Sequence, residues 1–179
     1  MEALGNLPLH RMSDRHSGLT EAVAAYYEEA ARVCLDRHHV SPRRFAIRNG
    51  DARQETEVLW EQTDERCRAA WANEVDATEA GAYACVIAAA ELTQVLFAIR
   101  RAETGTGADY YVAPPGHGQD DLEECLRLEV SGVDHGAQAI IEQRLQGKLD
   151  QAARGGSNLP AMAGVVGFRI GLILMQRVE

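Results

Sequence analysis

Two short extended segments, GADYYVAP at 107–114 and CLRLEVSG at 125–132, stand between two long helical stretches. They constrain the fold more than any other feature of the chain. Each carries one acid in an apolar or aromatic setting, Asp109 in the first and Glu129 in the second. A strand sends alternate side chains to opposite faces. Leu126, Leu128 and Val130 therefore share one face of the second segment, and Arg127, Glu129 and Ser131 share the other. One face reads as core and the other as a place where a carboxylate is displayed. A Pro-Pro-Gly-His-Gly turn separates the segments, which predicts neighbouring strands with both carboxylates on one face. Two hard oxygen ligands so placed suit a hard divalent cation.

The flanking elements follow from periodicity. Val23, Tyr26, Tyr27, Ala30 and Cys34 predict a helix from about Leu19 to Arg37, capped by Ser17 or Thr20. FAIRNG and ETEVLW, on either side of an Asn-Gly-Asp turn, predict a hairpin. The Ala-rich stretch from Asp64 to Glu103 reads as two helical parts interrupted near Asp76–Thr78. Its later part is apolar almost all round, which predicts a central, buried helix ended by Gly105–Gly107. A third long helix is expected from about Gly136 to Ala153. AMAGVVGFRI then reads as a buried strand, and GLILMQRVE as a strand or short helix. This order predicts an α/β (α+β) fold with a single central mixed sheet flanked by helices. The expected organisation is one domain over 1–179, with an N-terminal helix and hairpin extension at 1–62 and a core at 63–179.

Composition narrows the class. At 46% hydrophobic and 25% charged, 179 residues make one soluble globular domain rather than a disordered chain. No apolar run reaches the roughly 20 residues of a membrane span. The N-terminus lacks the basic-then-apolar order of a secretory signal. Cys34, Cys67, Cys85 and Cys125 form no CxxC pair and are expected to be reduced thiols, so the expected compartment is the cytoplasm. The net charge of −9 counts against a standing grip on nucleic acid. Basic residues are nonetheless grouped in HRMSDRH, RHHVSPRRF and AIRR.

Helix geometry singles out two further residues. At about 100° per residue, Glu79 falls in line with Tyr83, Val86, Ala90 and Phe97, inside an apolar stripe. A carboxylate buried there needs a partner, unless it is simply a first-turn acid favouring the helix N-terminus. In the third helix Ile141, Leu145, Leu149 and Ala152 form the inward row, into which Lys148 projects with Arg144 and Gln151 on its flank. Snorkelling to solvent is the commoner fate of such a lysine. The functional alternative is an ammonium that reaches over the sheet to Glu129 and stabilises charge on a phosphate. The histidines show no metal-binding spacing: His38 and His39 point about 100° apart, His117 sits in a turn and His135 at a helix start. There is no phosphate-binding glycine loop and no GxSxG elbow.

The runs DATEAGAYACVIAAAE, ETGTGADYYV, RLEVSG, RLQGKLDQ and SNLPAMAGVVGF, in this order over residues 76–170, resemble a restriction-endonuclease-like protein of the PD-(D/E)xK superfamily. More narrowly, the chain is similar to small bacterial proteins with a GTGxDY strand and an RLEVSG strand. It implies a helix acid, a strand acid and an acid-x-lysine strand that together bind magnesium or manganese. Glu79, Asp109 and Glu129 match the three acids. Ser131 stands where the motif lysine belongs. Some members carry the lysine on the next helix, where Lys148 lies, with Gln151 one turn on.

What the resemblance implies is a metal-dependent nuclease hydrolysing DNA, with a role in defence against foreign DNA. Glu79, Asp109 and Glu129 are the expected metal ligands, and Asp109, Glu129, Lys148 and Gln151 the expected catalytic set. Two alternatives stand beside it: a nuclease-fold scaffold that has lost catalysis, and a small-molecule binder with the apolar helix lining a pocket. Tyr26, Tyr27 and Trp60 lie in residues 19–60, outside the resemblance, and point to a homodimer made in part by that segment.

Overall fold

The computed structural model describes residues 4–179. After a 3₁₀ turn at Met12–Asp14, helix α1 (Glu21–His38) leads to a hairpin of β1 (Arg43–Asn49) and β2 (Ala52–Val58). Thr20 caps α1 by accepting from the Val23 amide. Next come α2 (Glu65–Ala70), α3 (Glu74–Gln94), β3 (Phe97–Arg101), β4 (Tyr110–Ala113) and β5 (Leu126–Val133). The chain closes with α4 (Gln138–Ala153), β6 (Ala161–Gly167) and β7 (Leu172–Arg177).

All seven strands join one sheet in the order β2-β1-β7-β6-β5-β4-β3. The pairs β1·β7 and β5·β6 are parallel and the rest antiparallel. The fold is therefore α+β with one mixed sheet flanked by helices. The N-terminal hairpin extends this sheet, since β1 pairs with β7.

Alternation along β5 divides the interior. Leu126, Leu128 and Val130 pack into the larger core with α1 and α3. The other face carries Val133 into a smaller core with Ile141, Leu145 and Leu149 of α4. Glu129 thus points into the α4 side. Helix α3 lies close on β5 because Gly132 has no side chain: a Cβ there would come within 2.8 Å of the Thr78 carbonyl and 3.0 Å of Ala82. None of the helices among the described residues is long and apolar enough to cross a membrane.

Two expectations about α3 are corrected. The break in the Ala-rich stretch lies at Trp71–Asn73, where Asn73 caps α3 by accepting from the Val75 and Asp76 amides. The helix also ends earlier than expected, and LFAIRR supplies strand β3. Val95 takes a left-handed conformation at φ 55°, and the Leu96 amide bonds back to Ala90. A β-branched residue seldom adopts that conformation, so no glycine or asparagine marks the stop in sequence. Gly105–Gly107 belongs to the turn between β3 and β4 rather than to a helix end.

Candidate active site

Asp109 and Glu129 meet at the end of the β4–β5 ladder. Tyr110 pairs with Leu128, and the Asp109 amide donates to the Leu128 carbonyl. Pairing ends there. The Asp109 carboxylate takes over the next free amide of β5: its Oδ2 accepts from Val130 N at 2.7 Å. Its Oδ1 accepts from the Tyr83 hydroxyl at 3.1 Å and from Arg101 Nη1 at 3.3 Å. The side chain is fixed from α3, β3 and β5 at once. Asp109 and Glu129 line one recess of about 400 Å³ with Arg101, Gln151 and Arg154.

Glu129 is 3% exposed. Burial and the neighbouring Asp109 charge push its carboxyl pKa up, against the opposing pull of Lys148. Lys148 Nζ donates to Glu129 Oε1 at 2.9 Å and lies 3.4 Å from Gln151 Oε1. Lys148 therefore does not run outward along its helix. It spans the short gap from α4 to the sheet, because the α4 face that packs on β5 and β6 places position 148 directly over the β5 acid. The second Glu129 oxygen, Oε2, makes no hydrogen bond among the described residues.

The two carboxylates and two cations balance in formal charge. Arg101 serves Asp109 and Lys148 serves Glu129. Arg101 also lies 5.1 Å from the ring centroids of Tyr83 and Tyr110, so two π faces help hold its guanidinium. Burial and the Asp109 charge keep the Tyr83 phenol protonated by pushing its pKa up. It therefore acts as a donor to the acid.

Glu79 departs from expectation. It is exposed, and among the described residues it makes no hydrogen bond or ion pair. The face of α3 that rests on β5 is that of Thr78 and Ala82, against Gly132. Glu79 is about 100° round from Thr78 and turns off the sheet. It lines a groove of about 390 Å³ with Ser131, Arg144 and Lys148, beside the recess of Asp109 and Glu129. The structure brings Asp109, Glu129, Lys148 and Gln151 together and leaves Glu79 at the rim. Ser131 accepts from Arg144 Nη1 at 3.0 Å.

Tyr83 and Arg101 are the site residues that sequence reasoning missed. Tyr83 was hidden among apolar stripe positions, and Arg101 lay in a segment read as helix. His38 and His135 form a further surprise. They are far apart in sequence yet converge on Asp134, 2.8 Å and 3.0 Å from its two oxygens. The lack of a metal-like spacing in sequence did not exclude this meeting, because α1 and the β5–α4 turn come together only in the fold.

No known family pattern matches the chain, nor does any curated protein or solved structure.

Proposed function

We propose that the chain is a metal-dependent, nuclease-like phosphodiesterase acting on DNA. The observation that carries this reading is the 2.9 Å contact between Lys148 and Glu129, beside Asp109 on the neighbouring strand. The PD-(D/E)xK resemblance implies this grouping, with the lysine supplied from the following helix.

The donor set fits magnesium or manganese. Asp109 and Glu129 offer hard carboxylate oxygens, Glu129 Oε2 has no hydrogen-bond partner among the described residues, and burial together with the neighbouring Asp109 charge raises the Glu129 pKa. Such an ion supplies an activated water and charge stabilisation to a phosphodiester. Arg101, Tyr83 and the Val130 amide orient Asp109. Lys148, held by Glu129 and Gln151, offers a cation to the phosphate. Arg144 and Arg154 on the groove and recess walls suit the flanking phosphates of a DNA strand. Glu79 is placed to act only from the rim.

A second reading, a retained fold without catalysis, has two observations in its favour. Arg101 and Lys148 already occupy oxygens of both acids, and Ser131 replaces the motif lysine. Calorimetric titration with manganese tests the proposal. Binding by the wild-type chain that is lost in Asp109→Asn supports it. Absence of binding, or binding unchanged in Asp109→Asn, favours the non-catalytic reading.

A further inference from the structure

The groove that carries Lys148 runs at its other end to Asp134 and His135, which the chemistry above does not use. His38 is the last residue of α1, and Asp134 and His135 follow β5 directly. Nε2 of His38 lies 2.8 Å from Asp134 Oδ1, and Nε2 of His135 lies 3.0 Å from Oδ2. One ligand atom from each of the three residues lies within 4.8 Å of the other two. A tetrahedral zinc ion with bonds of about 2.0–2.2 Å keeps its ligand atoms roughly 3.3–3.6 Å apart. The observed spacings, 2.8 Å and 3.0 Å to Asp134 and at most 4.8 Å among the three, bracket that range.

We propose that His38, Asp134 and His135 bind a zinc-class divalent cation that ties the end of α1 to the turn between β5 and α4. Two further observations separate the cluster from an ordinary surface network. Asp134 Oδ2 is shut off from solvent and makes no well-formed hydrogen bond among the described residues. The His38 side chain is 9% exposed and turned into the cluster, its ring edge-on to that of His135 at 5.0 Å. The neighbouring His39 turns elsewhere, to the Phe168 carbonyl at 2.6 Å.

The His135 side chain is 63% exposed, which leaves an entry path and room for the ring to move. Glu74 Oε2, 4.0 Å from His135 Nε2, or a water completes the fourth position. Arg37 Nη1, 3.4 Å from Asp134 Oδ2, is the cation with which the ion shares the carboxylate. Two imidazoles and one carboxylate select zinc, cobalt or nickel over magnesium. The all-carboxylate pair at Asp109 and Glu129 has the opposite preference. The two sites can therefore be told apart by metal as well as by mutation.

The test is calorimetry with zinc chloride on the full chain, supported by the visible spectrum of the cobalt-loaded protein. The wild-type chain is expected to bind zinc with one-to-one stoichiometry. His38→Gln and His135→Gln should each weaken binding by at least the roughly 10–100-fold that loss of an outer-shell partner costs. Both should also abolish the cobalt absorption. Asp109→Asn should leave zinc affinity unchanged, which keeps this result separate from that of the manganese titration. His135→Gln changes an exposed side chain and so remains informative if His38→Gln folds poorly. No zinc binding by the wild-type chain, or full affinity in His135→Gln, overturns the proposal.

Discussion

At the scale of single residues, Lys148 and Glu129 form an ion pair whose partners differ in exposure: the Glu129 side chain is 3% exposed and that of Lys148 24%. The pairing sets the expected cost of Lys148→Met, because removing the ammonium leaves Glu129 a buried carboxylate without a cation. Glu129 already has a raised pKa. For such a group the stability of the protonated form is fully present below the unfolded value of about 4.5 and is lost as pH rises through the folded value. Removing Lys148 raises the folded value further. Lys148→Met should therefore match the wild type near pH 4.5 and fall behind by about 1–3 kcal/mol at neutral pH. Urea unfolding at both pH values checks this, and an equal gap at both would contradict the pairing.

At the scale of elements, the sequence was most legible where alternation and periodicity are strong. The hairpin, α1, α4, β6 and the facing of β5 all follow from pattern, and so does the inward row of α4. The stop at Val95 was not legible, because tertiary packing holds a valine in a conformation that its side chain disfavours. That error concealed β3 and with it Arg101. Glu79 was misplaced for a related reason: an angular stripe says which residues align, but only Gly132 decides which stripe meets the sheet. Arg127 shows the same limit. It shares the Glu129 face, as alternation requires, yet it is only 5% exposed. Its guanidinium donates to the carbonyls of Thr106, Ala152 and Leu159, pinning the β3–β4 turn and the end of α4 to β5. Arg127→Met should cost about 2–4 kcal/mol, since three carbonyls lose their charged donor. Urea unfolding measures it, and a loss below about 1 kcal/mol would show that the two connections hold without it.

At the scale of the whole molecule, the net charge of −9 has a local counterpart. Arg101, Arg144, Lys148 and Arg154 line the recess and groove together with Glu74, Glu79, Glu103, Asp109, Glu129 and Asp134, so these walls are not cationic overall. A polyanionic partner therefore depends on a bound cation or on the individual arginines and lysine rather than on a broad positive field. The homodimer expected from residues 19–60 loses two of its three aromatic supports. Tyr27 stacks on Tyr83 and shares a hydrogen bond with Tyr110, and Trp60 donates to Asp36, which leaves Tyr26 exposed. The proposed function requires Asp109, Glu129 and Lys148 to act as one hydrolytic site. Cleavage of plasmid DNA in manganese, by the wild-type chain and by Lys148→Met in parallel, tests it most directly. Manganese-dependent nicking or linearisation by the wild type is expected, abolished by chelation and by Lys148→Met. No cleavage by the folded wild-type chain, or equal cleavage by Lys148→Met, would contradict it.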